Sequence, residues 1–128
     1  MSDIVPSNPP TMAAPGGHYS HAIAVNGFVF VSGQLPIAPD GTKLGDAPFE
    51  HQARQVLDNV AQALIGSGSA VSRLVQVRVY VTDIGDWATF NTIYAAWAGQ
   101  ARPARCVVPV PALHYGFKIE VEVVALQA

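Results

Sequence analysis

Hydrophobic residues recur along this chain with two different periods. Phe49, Ala53, Val56, Leu57, Val60, Leu64 and Ile65 return every three or four positions, with Gln52, Arg54, Gln55, Asp58, Asn59 and Gln62 between them. That is the spacing of one helix face turned to a core, and it predicts a helix over 49–65. Asp46 and Pro48 stand where a cap and first turn belong, and Gly66 and Gly68 mark the stop. A second helix, about 86–98, aligns Trp87, Phe90, Ile93, Tyr94 and Trp97 and stops at Gly99. Elsewhere the period is two. Val75, Val77, Val79 and Val81 alternate with Gln76, Arg78 and Tyr80, and Phe117, Ile119, Val121 and Val123 with Lys118, Glu120 and Glu122. Each run predicts a strand with one apolar face. Residues 22–25 and 28–32 flank Asn26-Gly27, a strong hairpin signal. Arg105 to Val110 reads as a short strand ended by Pro109 and Pro111.

The order strand, strand, helix, strand, helix, strand, strand lets two helices cover one face of a mixed sheet, a two-layer α+β domain. Residues 17–128 are expected to form that single domain, since 128 residues leave little room for two. Residues 1–16, with Pro6, Pro9, Pro10 and Pro15, are expected to form an extended, partly mobile arm. The loop from Gln34 to Pro48 is expected to lie over something. The sheet face away from the helices would carry Gln76, Arg78, Tyr80, Lys118, Glu120 and Glu122, too mixed for a core and too large to leave idle. Half of the residues are hydrophobic and only 12% are charged, a low charge density for a small monomer. Packing against sister subunits would account for both, so an oligomer is expected.

Several function classes drop out. A net charge of -2 and a pI near 6.0 lack the basic footprint of a nucleic-acid binder. The four histidines, His18, His21, His51 and His114, have no metal-site spacing and read as scattered loop or surface residues. No apolar run is long enough for a membrane span, the N-terminus lacks a signal-peptide pattern, and the lone Cys106 excludes an internal disulfide. The cytoplasm is the expected location. Glycine motifs for phosphate and the serine-nucleophile elbow are absent.

Three residues remain as candidates for chemistry. Arg105 opens a valine-rich strand, and its planar guanidinium suits a carboxylate or phosphate. A structural salt bridge to Glu120 or Glu122 is the competing reading. Glu120, central in the last strand, reads as a general base or as a solvated strand residue. Cys106 reads as a thiolate nucleophile or, more simply, as a small buried residue facing the helices.

Seven blocks in order, from about residue 17 to residue 126, resemble the RidA (YjgF) family. They are Gly17-His18-Tyr19-Ser20-His21-Ala22, Val29-Phe30-Val31-Ser32-Gly33-Gln34-Leu35-Pro36, Gln52 to Val60, Val79-Tyr80-Val81-Thr82-Asp83, Phe90-Asn91-Thr92-Ile93-Tyr94, Arg102-Pro103-Ala104-Arg105 and Ile119-Glu120-Val121-Glu122. The resemblance implies a chorismate-mutase-like domain, a homotrimer around a central sheet barrel, and ligand clefts between subunits. It implies hydrolysis of small enamines and imines, such as 2-aminoacrylate, to 2-keto acids and ammonia without metal or organic cofactor. On that resemblance Arg105 would hold the substrate carboxylate and Glu120 the catalytic water. Tyr19, Ser32 and Asn91 would line the pocket, with Gly33 shaping its wall. Two departures stand out. Val107 replaces the Cys or Thr found in many relatives two residues after the arginine, and Leu113 to Phe117 puts bulky rings where a lysine- or glycine-containing turn is usual. A larger catabolic enamine is therefore an alternative substrate. A non-enzymatic trimer that binds small carboxylates is a second alternative, and an endoribonuclease fits the acidic pI poorly.

Overall fold

The computed structural model describes residues 3–128. In chain order it contains β1 (Val5–Ser7), β2 (Ala22–Val25), β3 (Phe28–Gln34), α1 (Phe49–Gly66), β4 (Leu74–Val81), α2 (Trp87–Ala98), β5 (Ala104–Pro109) and β6 (Ile119–Leu126). One six-stranded sheet runs β1-β2-β3-β6-β4-β5. Only β4 and β5 pair in parallel, with α2 as the crossover between them. Both helices lie against the sheet face carrying Val29, Val31, Val77, Val79, Val81, Ile119, Val121 and Val123, all buried. The two-layer α+β architecture expected from the two periods is the one observed.

The hairpin turns on Asn26 (φ 52) and Gly27 (φ 80), both in the left-handed region that a two-residue turn of this kind demands. The segment expected as an arm also contributes to the sheet. Val5, Pro6 and Ser7 pair with Ala24, Ile23 and Ala22. Behind them Met12 is buried, and the Asn8 side chain accepts the backbone N–H of His21 at 2.9 Å.

Several residues depart from the two periods. Val75 is exposed because the β4–β6 register shifts between Leu74 and Gln76, which turns it out of the apolar row. Ile65, at the last turn of α1, is also exposed. Gln52 and Asn59 were expected on the polar side of α1, yet both are buried. Their amides replace water for the loop that α1 carries. Gln52 Nε2 donates to the carbonyls of Gly45 and Ala47, at 3.3 and 3.0 Å, while its Oε1 accepts from Lys118 N at 3.0 Å. Asn59 Nδ2 donates to Leu35 O at 3.1 Å and Ile37 O at 3.0 Å. The 34–48 loop thus lies over α1, bonded through its backbone rather than through apolar packing alone.

On the opposite face, Phe28, Phe30 and Val108 are exposed beside Arg78, Tyr80 and Glu122. The Tyr80 hydroxyl donates to Glu122 Oε1, and that bond pushes the Tyr80 pKa up to about 12. Among the described residues no helix is long and apolar enough to cross a membrane.

Gln52→Leu keeps the side-chain volume and removes three hydrogen bonds at a fully buried position. Urea unfolding is expected to show a loss of about 2–3 kcal/mol, with the midpoint lowered and the slope unchanged. A loss below about 0.5 kcal/mol would mean that the loop does not depend on this amide.

Candidate functional site

A cleft of about 500 Å³ opens between the 12–19 segment, the end of β3, the 35–43 loop and the turn at 114–115, with Glu120 in its wall. Tyr19, Ser32, Gly33 and Glu120 come together here. Each is placed by a local device. Ser32 Oγ donates to Ser20 O at 2.6 Å, joining the end of β3 to the segment that carries Tyr19. The Tyr19 ring stands edge-on to His21 at 6.2 Å and its hydroxyl accepts Gly16 N at 3.3 Å.

His21, expected as a scattered loop or surface histidine, is buried with both ring nitrogens engaged. Its Nε2 lies 2.7 Å from Ala13 O and its Nδ1 3.2 Å from Gln34 Nε2. A carbonyl can only accept, so the proton is on Nε2 and Nδ1 accepts from the Gln34 amide. Gln34 donates in turn to Ser32 O at 3.1 Å. The segment, the β3 end and the cleft wall are therefore one hydrogen-bonded unit.

Glu120 reaches the cleft because residue 33 has no side chain. A Cβ on Gly33 would overlap Glu120 Oε2 and lie 2.9 Å from its Cδ. Pairing of β3 with β6 slips between Val31 and Gln34, which opens this strip of sheet to the carboxylate. Glu120 is half-buried, and loss of water raises its pKa above the ordinary 4.5. His114 opposes that shift and Glu122 adds to it.

Arg105 and Asn91 lie elsewhere. β5 pairs with β4 so that Arg105 is level with Val77 and Val107 with Val79, which puts Arg105 on the helix face of the sheet edge. There its Nη1 donates to Asn91 Oδ1 at 2.9 Å. Its guanidinium lies 4.8 Å from the Tyr94 ring centroid and 5.9 Å from that of Trp87. Aromatic faces and one amide thus fix the plane of the fork. Glu120 and Glu122 alternate with the buried Ile119, Val121 and Val123, so they face the other side, and the salt-bridge reading of Arg105 fails. Cys106 also reverses its expectation. It pairs with Arg78 and is exposed on the open face, because Arg105 takes the helix side.

Sequence reasoning missed Gln34, Lys43, Asn59 and Met12 as lining residues. His114 and Tyr115, singled out as unusual, do stand at the cleft. Among the described residues no three His, Cys, Asp or Glu side chains gather as a metal site.

Known proteins match this arrangement along nearly its whole length. The family model described as Endoribonuclease L-PSP matches residues 10–127. Protein HMF1 of Saccharomyces cerevisiae is 36% identical over 127 residues, 99% of this chain and 95% of that protein. RidA from the Antarctic bacterium Psychrobacter superposes with a TM-score of 0.88 at 30% identity, covering 94% of this chain and 97% of that one. Escherichia coli TdcF with bound serine does so at 0.89 and 28%, covering 97% and 99%.

Gly33→Ala is expected to expel the Glu120 carboxylate toward solvent while the fold survives, since only the end of a side chain must move. Burial is what raises this pKa, so carbon-detected NMR titration should find it lower than in the parent protein. An unchanged titration would show that the close approach does not set the environment of Glu120.

Proposed function

The chain belongs to the Endoribonuclease L-PSP family, the YjgF/RidA superfamily, and on that premise we propose that it is a hydrolytic deaminase of small 2-imino and 2-enamino acids. One observation carries this reading. A half-buried carboxylate with a raised pKa stands in the wall of a cleft large enough for a small acid. Glu120 orients a water molecule onto the imine carbon. As the water oxygen bonds to that carbon, Glu120 takes a proton and passes it to the nitrogen. The proton of the new hydroxyl then moves to the nitrogen through the same carboxylate, and the carbon–nitrogen bond breaks as the carbonyl forms, leaving a 2-keto acid and ammonia. Imines of this kind hydrolyse in water unaided, so positioning and general acid–base help suffice. Tyr19, Ser32 and Gly33 line the pocket.

The substrate carboxylate is held by Arg105, with Asn91 fixing the guanidinium. One chain carries Arg105 and Glu120 on opposite faces of its sheet, so the working site in this proposal combines Glu120 of one copy with Arg105 of another. The exposed Phe28, Phe30 and Val108 supply apolar surface for such an assembly, which we take to be a homotrimer. TdcF with bound serine supports a small carboxylate-bearing ligand. No metal or organic cofactor takes part in this scheme, and the cytoplasm is the location we propose.

The family description also names an endoribonuclease. A net charge of -2 and a cleft whose lining includes one lysine and one glutamate disfavour a polyanion.

An amino-acid oxidase that generates imino acids in situ tests the reading. Glu120→Gln is expected to lower kcat/KM by roughly 10²–10⁴-fold, the usual worth of general acid–base catalysis. Arg105→Ala should lower it at least about 10²-fold, and Arg105→Lys should recover little because a point charge cannot grip a carboxylate with two parallel bonds. Near-parental turnover in Glu120→Gln would remove Glu120 from the mechanism, and ligand binding without turnover in the parent protein would leave a carboxylate-binding protein and no enzyme.

The pH dependence has a definite sign. Glu120 works ionised and its pKa is raised by burial, so activity is lost as pH falls through a value above 4.5. His114→Asn removes a charge that lowers this pKa and should move the acid limb further up. A limb at or below the ordinary glutamate value would contradict the assignment of Glu120.

A further inference from the structure

We infer that the cleft prefers imino acids carrying a second carboxylate, and that Lys43 at its mouth reads that group. The inference rests on the deaminase reading of the cleft and names its substrate class. Size is the first ground. A cavity of about 500 Å³ falls in the range that holds drug-sized ligands, so a three-carbon acid fills only a small part of it. Arg105 of a second copy takes part of the remaining space in this scheme, and the rest admits a substrate longer than three carbons.

Charge is the second ground. Among the lining residues Glu120 is the only acid and Lys43 the only lysine or arginine. With the first carboxylate assigned to Arg105, the ammonium of Lys43 is a separate cation within the same cavity. A second carboxylate beside Glu120 would be repelled. At Lys43 it meets the opposite charge, which restricts that group to the far end of the substrate.

The third ground is that Lys43 is held, although it is exposed. Ile37 and Lys43 bridge across the 37–43 turn, and Asn59 ties Ile37 O to α1 at 3.0 Å. The ammonium sits 4.9 Å from the centroid of the Tyr115 ring. Tyr115 pays for that position in its backbone, with φ 57 and ψ 20, the left-handed region that non-glycine residues avoid. Core burial does not offset this, since Tyr115 remains 64% exposed. Gly116 is the next residue, so a glycine was within one position of the strained site. Placing an aromatic face under Lys43 gives the strain a purpose, because a cation pre-positioned on a ring loses less freedom on binding.

The reaction is unchanged: water adds to the imine carbon, ammonia leaves, and the product is a 2-oxo dicarboxylate. The test compares imines made in situ by flavin oxidases from glutamate and from its uncharged near-isostere glutamine. The parent protein should favour the glutamate-derived imine by about fivefold in kcat/KM, the scale of a partly exposed ion pair. Lys43→Met, which keeps the apolar stem, should bring the ratio close to one, and Lys43→Arg should retain it. Binding provides a readout without turnover. Calorimetry should find 2-oxoglutarate about fivefold tighter than 2-oxohexanoate at low salt, with the difference lost in Lys43→Met and reduced by salt. Equal preference in the parent protein, or a ratio that survives Lys43→Met, overturns the Lys43 assignment. Turnover of the glutamine-derived imine would then still uphold the deaminase reading. If neither imine is hydrolysed, that reading falls and the binding ratio alone decides the role of Lys43.

Discussion

A carboxylate needs water or partners, and at Glu120 the protein withdraws much of the water by seating the side chain against the backbone of Gly33. Any larger residue at position 33 would fill that seat. The approach also needs the slip in β3–β6 pairing between Val31 and Gln34, which locally separates two strands that are otherwise in register. Burial then raises the pKa of a group that regular pairing would leave in solvent. A polar frame stands around it. His21 bonds Ala13 and Gln34, Gln34 bonds Ser32, and Asn59 holds the loop on the far side. These bonds fix the cleft wall in addition to apolar packing at Met12, so the lining stays in place around the open cavity.

The second organising fact is the separation of Arg105 from Glu120. β5 joins the sheet in parallel, level with β4 at Val77, and this turns Arg105 toward α2. The arginine is then stacked and hydrogen-bonded by one helix, and Glu120 is buried by another part of the chain. Each half is held by its own contacts. Two halves on opposite faces of one sheet are what the proposed pairing of neighbouring copies brings together. The exposed Phe28 and Phe30, 40% and 47% accessible, mark where apolar surface remains to be covered.

Much of the fold was legible because periodicity is a local property. The two helices, the Asn26-Gly27 hairpin and the alternating strands follow from residue spacing alone. Face assignment did not follow so readily. Alternation shows that Arg105 and Val107 share a side, but the register with β4 decides which side, and that reversed Cys106. Val75 fits the alternation and is turned out by a bulge that no residue in the run announces. Gln52 and Asn59 read as solvent-facing because they are amides, whereas their burial depends on carbonyls in a loop five to 24 residues away. The blocks that resemble RidA located Tyr19, Ser32, Gly33 and Glu120, which do meet. They could not reveal Lys43, whose place at the mouth depends on how the 35–43 loop lies over α1.

The central claim is that catalysis requires Glu120 and Arg105 from different copies of the chain. Mixing is the direct measurement. Arg105→Ala and Glu120→Gln proteins, each inactive alone, would be unfolded and refolded together at equal concentration, and imine hydrolysis followed against each variant refolded separately. The account predicts that mixed assemblies regain activity, because some clefts then pair an intact Glu120 with an intact Arg105. Joint refolding that yields mixed assemblies by mass spectrometry, yet no activity above the separate variants, would contradict it.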